Sequence, residues 1–261
     1  GGTGKSFVAK CVKWATRALF GETGTELCAA MTGTAARLLG DGVTMHSAWK
    51  LHYHDDRHAE VKSLEGKALT EMVAAHAALK TVQIDERSLV GLRTMGVWMS
   101  RLREARPGEH GSTVGDAEVP AIVMYGDDAQ LGPVGDTRAW EMPKGKGKST
   151  QPSGVSLLGK LFAKEFEHNV VVLEQQERQC GDDDDSQFLR GLLGRLRDGA
   201  ATMEDAEKLN ERALRRLPKD EQARFRGGRT VCLCSTNAHR SSYNMGQLKA
   251  NDKEVVHEED G

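Results

Sequence analysis

The chain has 261 residues, of which 38% are hydrophobic and 28% are charged. This length suits one large or two modest domains, and the composition supports a packed core and excludes global disorder. The formal net charge is −2, from 36 Lys and Arg against 38 Asp and Glu. A nucleic-acid surface would therefore be a local groove rather than the face of a generally basic protein.

Neither export nor membrane insertion is indicated. No apolar run approaches the ~18 residues that a membrane span needs, and no signal peptide is visible, although a missing N-terminus could have carried one. The five cysteines show neither metal-binding nor disulfide spacing, which favours reduced thiols. We expect no membrane association and an intracellular protein, nuclear or mitochondrial in a eukaryote and cytoplasmic in a bacterium.

The chain opens on a phosphate-binding motif. Residues 1–6, Gly-Gly-Thr-Gly-Lys-Ser, read as the last six positions of the loop G-x-x-x-x-G-K-[ST]. Apolar residues recur on one side from Lys5 to Phe20, which predicts a helix directly after the loop. A Gly-rich turn capped by Ser is the weaker alternative. The first two positions of the loop would precede residue 1 and there is no initiator Met, so we expect a fragment of a longer protein.

This loop has a defined chemistry. Glycines let backbone N–H groups surround phosphate oxygens, and the start of a helix adds partial positive charge. Lys5 would reach the β- and γ-phosphates of a bound nucleotide, and Ser6 would offer its hydroxyl to Mg²⁺. The residues expected to bind the nucleotide here are Gly2, Thr3, Gly4, Lys5 and Ser6. Alone, the loop indicates only that a nucleoside triphosphate binds.

Strands and helices alternate along the rest of the chain. Strands are predicted at 26–31, 81–86, 121–125, 170–173 and 230–234. Helices are predicted at 32–39, 88–106, 157–167, 186–197, 203–217 and from 237 to about 249. This alternation predicts an α/β fold with a parallel, doubly wound sheet of the RecA-like kind.

The charged, histidine-rich segment at 50–80 reads as a small insertion on this core. His52, His54 and His58 suggest a zinc site, but no cysteine lies near and a fourth ligand is not evident. A solvated polar face is therefore the better interpretation of these histidines.

Two polar sites follow predicted buried strands. Asp85 and Glu86 end one strand, and residues 126–134 bring a carboxylate and the amide of Gln130 to the end of the next. Ligands of parallel sheets bind at such carboxyl ends. Asp85 would hold Mg²⁺, directly or through water, and Glu86 would orient and deprotonate the attacking water. An Asp-Glu pair is also common as a plain helix cap. It indicates a nucleotide site here only because the chain also contains the phosphate-binding loop at 1–6.

The order of these motifs resembles that of the Pif-type (petite integration frequency) DNA helicases, in the 5′-to-3′ branch of helicase superfamily one, with RecD-like helicases as the nearest cousins. The resemblance covers most of the chain. It rests on Gly-Thr-Gly-Lys-Ser at 2–6, Thr-Gly-Thr-Ala-Ala at 32–36, Thr-Met-His-Ser at 44–47, Ile-Asp-Glu-Arg-Ser-Leu at 84–89, Gly-Asp-x-x-Gln-Leu-x-Pro-Val at 126–134, Arg-Gln at 178–179 and Ser-Thr-Asn-Ala at 235–238.

The resemblance implies a monomeric, ATP-dependent DNA helicase with ATP and Mg²⁺ as cofactors and single-stranded and forked duplex DNA as partners. It implies a first RecA-like motor domain at 1–173 and an incomplete second one at 174–261. Gln130 would sense the γ-phosphate, and Arg178 would reach the same phosphate from the second domain. Together with Glu86 they form the implied catalytic set. The residues implied to contact nucleic acid are Thr32, His46, Ser47, Thr236 and Asn237.

Three positions depart from the family pattern. Arg87 stands where an aliphatic residue is usual, Gly132-Pro133 where Pro-Pro is usual, and Glu177 where an aromatic residue is usual. Gly132 should loosen the loop that carries Gln130. The family's base-binding motif and the last two motifs of its second domain, including a second arginine, are absent from the chain. We therefore expect the chain alone to bind Mg·ATP weakly, without efficient hydrolysis or unwinding.

Two other functions compete with this interpretation. One is a degenerate relative that binds nucleic acid or a partner without productive hydrolysis, which the departures favour and the retained Lys5, Asp85 and Glu86 oppose. The other is a phosphate-loop ATPase of unrelated purpose, on which the Gly-Asp-x-x-Gln-Leu element and the Arg-Gln pair are hard to explain.

Overall fold

The computed structural model describes residues 2–51, 61–105, 120–142, 153–178, 181–226 and 231–259. By its internal contacts the chain divides into two compact units, 1–182 and 183–261. The predicted boundary between motor domains falls after residue 173. The first compact unit extends beyond it to residue 182 and therefore includes the described residues 174–178. The functional division into two motor domains stays a prediction.

The first unit is built on a parallel sheet of four strands. These are β1 (Glu26–Ala30), β2 (Val43–Thr44), β3 (Thr81–Asp85) and β4 (Ala121–Met124), in the order β2-β1-β3-β4. The register pairs Ala30 with both Thr44 and Asp85, and Ile84 with Met124. The carboxyl ends of all four strands therefore lie along one edge, where ligands of such sheets bind.

Helices accompany this sheet as the predicted alternation requires. They are α1 (Lys5–Phe20), α2 (Gly33–Leu38), α3 (Met45–Ala48), α4 (Gly66–His76), α5 (Leu92–Ala105) and α6 (Gly154–Lys164), with a 3₁₀ turn at Arg87–Leu89. The predicted helix at 5–20 is confirmed. None of the described helices is both long and apolar enough to cross a membrane.

Helices α5 and α6 meet through two glycines. A Cβ added at Gly96 would lie 2.1 Å from the carbonyl oxygen of Val155, and one added at Gly159 would lie 1.7 Å from that of Leu92. Neither position has room for a side chain, so the two helix backbones touch.

Aromatic packing continues this contact into the core. Trp98 of α5 packs edge-on against Phe162 of α6 and tilted against Trp49 after α3, with ring centroids 5.2 Å apart in both pairs. Trp49 and Trp98 are both fully buried. The core of the first unit therefore lies between the sheet and the α5–α6 pair. Helix α5 follows the segment that carries Asp85 and Glu86.

All the regular secondary structure described in the second unit is helical. It contains α7 (Asp184–Arg197), α8 (Met203–Glu211), a 3₁₀ turn at Leu214–Arg216, α9 (Lys219–Arg226) and α10 (Asn237–Glu259). Asp205 joins two of these helices, because its Oδ2 accepts a hydrogen bond of 2.8 Å from Arg195 Nε and its side chain completes a capping box with Thr202. Among the described hydrophobic side chains of this unit, only Leu192 is buried.

Two predicted strands are wrong. Residues 170–173 and the described part of 230–234 have no regular secondary structure and pair with no described strand. Val171 and Leu233 are 86% and 95% exposed. Both segments have the β-branched and apolar residues of strands, but a strand also needs a neighbouring strand for its backbone hydrogen bonds, and composition does not supply one.

Candidate nucleotide site

The phosphate-binding loop has the backbone that its glycines predict. Gly2 and Gly4 have φ of 90° and 88°, in the left-handed region that favours glycine. The carbonyl oxygen of Gly4 accepts hydrogen bonds from the backbone N–H groups of Phe7 (2.9 Å) and Val8 (3.1 Å), so α1 begins at Lys5. Lys5 is half-buried and Ser6 is exposed. Free N–H groups at this helix start can bind an anion.

Arg178 lies beside this loop. The carbonyl oxygen of Gly2 accepts hydrogen bonds from the backbone N–H groups of Glu177 (2.8 Å) and Arg178 (3.1 Å). A Cβ at position 2 would lie only 2.8 Å from Arg178 Cβ and 3.3 Å from Gln176 Oε1. Glycine is therefore required at position 2 both for its φ and for this close approach, and the Arg178 side chain remains exposed.

Asp85 and Glu86 follow β3 at the carboxyl edge of the sheet. Asp85 Oδ1 accepts a hydrogen bond of 2.8 Å from the backbone N–H of Glu86. Glu86 has φ of 53° and ψ of 47°, a left-handed conformation that costs a residue with a Cβ about 1–2 kcal/mol. Backbone strain of this kind concentrates at functional sites. Both carboxylates are half-buried.

The segment 125–142, hereafter the glutamine loop, continues from β4 next to Glu86. The backbone N–H of Tyr125 donates to Ile84 O (2.7 Å), and Tyr125 O accepts from the N–H of Arg87 (2.8 Å). Gln130 is exposed and closes a turn with Asp127, donating from its backbone N–H to Asp127 O (3.0 Å) and from Nε2 to Asp127 Oδ2 (3.3 Å).

Two buried groups beneath this edge stay protonated at neutral pH. Burial, with the negative charge of Asp85 adding to it, raises the pKa of the Tyr125 hydroxyl to about 12, and that hydroxyl donates to Gln83 Oε1 at 2.7 Å. Burial likewise raises the pKa of the Cys28 thiol to about 12. Neither group can serve as a base near pH 7, so a base at this edge would have to be a carboxylate, as Asp85 and Glu86 offer.

Two of the five predicted nucleic-acid contacts accept hydrogen bonds at helix starts. Thr32 Oγ1 caps α2 by accepting from Ala35 N (3.2 Å), and Thr236 Oγ1 accepts from His239 N (3.2 Å) at the start of α10. Ser47 is exposed and His46 half-buried on α3, and Asn237 is exposed at the first position of α10. Thr32, His46 and Ser47 follow β1 and β2 at the carboxyl edge of the sheet, and their binding of nucleic acid stays a prediction.

Ser6 and Asp85 offer a hydroxyl and a carboxylate oxygen, the ligand types that Mg²⁺ takes alongside phosphate oxygens and water. This site would need only two protein groups. The described residues contain no cluster of three or more His, Cys, Asp or Glu that could hold a metal without a nucleotide. The suggested zinc ligands His52, His54 and His58 lie outside the described residues.

The structure thus assembles the predicted site in two parts. One part joins Gly2 to Arg178, and the other joins Asp85 and Glu86 to the loop that carries Gln130. Their convergence around a single phosphate stays a prediction.

Comparisons with known proteins bear on the fold. No family model matches the chain, and no curated protein matches it. Solved structures do match. A Pif1 helicase structure described as the basis of unwinding at forked dsDNA by two coordinating Pif1 helicases covers 93% of this chain at 21% identity, with a TM-score of 0.64. Pif1 helicase from Bacteroides in complex with ADP-AlF3 and ssDNA covers 95% of this chain at 19% identity, with a TM-score of 0.57. Pif1 helicase from Candida albicans covers 80% of this chain at 22% identity, with a TM-score of 0.54.

The chain has the fold of these Pif1 helicases. That fold is RecA-like, with a phosphate-binding loop at the edge of a parallel sheet, as the sequence predicts. The chain spans 51%, 51% and 41% of the three Pif1 chains in the order given, or about half.

Two arginines on the segment after Glu86 were not predicted as contacts. Arg87 forms an ion pair with Asp128 of the glutamine loop. Arg93 Nε lies 3.2 Å from Asp136 Oδ1, and Asp136 Oδ2 also accepts from the backbone N–H of Arg93 at 3.0 Å, which caps the first turn of α5. The sequence indicated Arg87 only as a departure from the family pattern. Its ion pair was not predictable, because Asp128 is distant along the chain.

Proposed function

We propose that the protein containing this chain is an ATP-dependent DNA helicase that moves 5′-to-3′ along one strand as a monomer. The observation that carries the proposal is the pair of hydrogen bonds from Glu177 and Arg178 to Gly2, which sets an arginine beside a phosphate-binding loop. The carboxylates at the end of β3 supply the remaining chemistry. Solved structures of the same fold support it, since they include Pif1 helicase from Bacteroides in complex with ADP-AlF3 and ssDNA and Pif1 helicases that unwind DNA at forked dsDNA.

Hydrolysis would use residues of this chain in distinct roles. Lys5 and the N–H groups at the start of α1 would hold the phosphates. Glu86 would accept a proton from the water that attacks the γ-phosphorus as the bond to the β-phosphate oxygen breaks. Gln130 and Arg178 would stabilise the charge that develops on the γ-phosphoryl oxygens. When bound between Ser6, Asp85 and the phosphates, Mg²⁺ would neutralise part of that charge.

Movement along DNA would use backbone contacts. Thr32, His46 and Ser47 follow the strands of the first unit, and Thr236 and Asn237 open α10 in the second. Polar contacts to phosphates position a strand without reading its bases. Alternating grip by the two motor domains of the full-length helicase, closing on ATP and opening after hydrolysis, would give stepping.

The test is DNA-stimulated phosphate release by the full-length protein and unwinding of forked duplexes that carry a single 5′ or 3′ tail. Glu86→Gln removes the base but keeps size and hydrogen bonding, so we expect ATP to stay bound while turnover falls at least 100-fold. Lys5→Ala should weaken nucleotide binding itself. A parent protein that unwinds only the 3′-tailed duplex would contradict the proposed direction.

Glu22→Gln is the matched control for Glu86→Gln. Glu22 is exposed in the turn after α1, about 24 Å along that helix from Lys5. It should leave turnover unchanged. If the parent binds DNA but releases no phosphate, the protein is instead a degenerate helicase-like binder of nucleic acid without productive hydrolysis. If Glu86→Gln hydrolyses ATP at the parent rate, Glu86 is not the catalytic carboxylate.

A further inference from the structure

Arg87 connects the residue next to it, Glu86, with the glutamine loop. Its backbone N–H donates to Tyr125 O at 2.8 Å, and its guanidinium pairs with Asp128. The same guanidinium carbon lies 5.9 Å from the ring centroid of Trp140, within cation–π range. Arg87 therefore contacts the glutamine loop near its start, at its turn and near its end.

Two glycines make room for this arrangement. A Cβ at Gly126 would lie 3.0 Å from Arg87 Cγ and 3.1 Å from its backbone nitrogen. A Cβ at Gly132 would lie 2.6 Å from Nε of Arg138, whose guanidinium carbon lies 5.4 Å from the Trp140 centroid. Gly132 thus leaves space for a second arginine at the same indole, beside Arg87.

The ion pair reaches Gln130 through one turn of backbone. Asp128 lies inside the turn in which Asp127 accepts hydrogen bonds from Gln130 and, at Oδ1, from the backbone N–H of Ala129 (3.2 Å). A displacement of Asp128 would therefore move Gln130. On the other side, the hydrogen bond of the Arg87 N–H follows directly after the left-handed backbone of Glu86, which it helps to hold in that strained conformation.

We propose that Arg87 is a positioning residue for ATP hydrolysis, which fixes Gln130 relative to Glu86 by holding Asp128 and Trp140. This rests on the proposed function. The Arg87 and Asp128 side chains are 29% and 43% exposed, so their ion pair contributes little to stability. Its effect lies in geometry, because a misplacement of about 1 Å at a catalytic group slows turnover strongly.

The experiment measures kcat and KM for ATP, with saturating single-stranded DNA, in the full-length protein. Arg87→Leu removes the ion pair and the cation but keeps an apolar side chain, and we expect kcat to fall about tenfold with KM within twofold. Arg87→Lys keeps the cation and should recover part of kcat, about threefold below the parent. Asp128→Asn should lower kcat, and the double variant Arg87→Leu with Asp128→Asn should be no slower than Arg87→Leu alone.

Hydrogen exchange of the amides at 126–131 gives a readout that does not depend on turnover. Arg87→Leu should speed exchange there, whereas the control Arg103→Leu, an exposed arginine on α5, should change neither exchange nor kcat. The proposal is overturned by unchanged exchange in Arg87→Leu, by parent-level kcat, or by losses that multiply in the double variant. A parent without ATPase activity overturns the proposed function instead, and the exchange comparison then still decides whether Arg87 anchors the glutamine loop.

Discussion

The contact between α5 and α6 makes a strong prediction about a single methyl group. Gly159 of α6 faces the backbone of α5 at Leu92, and α5 follows the segment that carries Asp85 and Glu86. The change Gly159→Ala adds one Cβ at the closest point between the two helices. We expect it to destabilise the first unit although alanine is the better helix former.

The size of this effect follows from the geometry. The new Cβ would lie 1.7 Å from Leu92 O, while real Cβ contacts stay beyond 3.0 Å, so the helices would have to separate by about 1.3 Å. Overpacking costs about 1–3 kcal/mol, and a backbone contact that cannot rotate away belongs at the upper end of that range. The higher helix propensity of alanine over glycine offsets about 1 kcal/mol of this cost. The expected net loss of about 2 kcal/mol corresponds to a decrease in Tm of about 4–8 °C for a unit of this size.

Thermal unfolding followed by tryptophan fluorescence suits this test, because Trp98 packs against Phe162 across the altered interface. Gly33→Ala is the control in the same unit, since Gly33 is the first residue of α2 and a Cβ there meets nothing within 4 Å. It should leave Tm unchanged or raise it slightly. If Gly159→Ala melts at or above the parent, the two helices are not in backbone contact and the described core is wrong.

Three further outcomes are expected. Single strands of several sequences should bind the full-length protein alike, with log K falling linearly against log salt; a slope near zero or strong preference for one sequence would exclude backbone recognition. The 261-residue chain alone should release phosphate far more slowly than the full-length protein, because the second arginine that the family resemblance implies is not in this chain. One such arginine is worth ~10³–10⁵ in rate, and equal activity would contradict this prediction. Asp205→Asn should destabilise the second unit at pH 7 but progressively less as pH falls below about 4.

The sign of the last effect follows from the ion pair. The hydrogen bond from Arg195 is the largest cause that lowers the pKa of Asp205 below 3.8, followed by that from the Thr202 backbone. The stabilisation is therefore present above the unfolded pKa and is lost as pH falls through the folded one. Unfolding of parent and variant from pH 7 to pH 2 measures the difference, and a constant difference across that range would show that Asp205 is not held as a carboxylate.

Local patterns were sufficient for much of the site. The conformation of the phosphate-binding loop depends only on its own six residues. The sequence therefore predicts both the left-handed backbone of its glycines and the start of α1. The strands β1, β3 and β4 were likewise predictable. Three of the five residues of β3 are β-branched (Thr81, Val82 and Ile84), and β4 is the apolar run Ala-Ile-Val-Met.

Interactions between distant residues were not predictable. The strand expected at 170–173 has suitable residues but no described partner strand. Helix α4 lies in a segment whose charges and histidines suggested only a polar insertion, yet Met72 and His76 are buried on its inner face. Arg87 and Asp128 are 41 residues apart, and nothing in their immediate sequence indicates that they form an ion pair.

The left-handed backbone of Glu86 has a steric cost that depends on which residue occupies this position. Glycine adopts φ of 53° without steric cost, and asparagine tolerates it better than most residues. If thermal stability alone governed the choice, one of those two residues would serve the folded protein better than glutamate. Under the proposed function, the glutamate at this position gives up stability in order to place a catalytic carboxylate. The neighbouring backbone hydrogen bonds to Asp85 Oδ1 and from the Arg87 N–H hold the turn in this conformation.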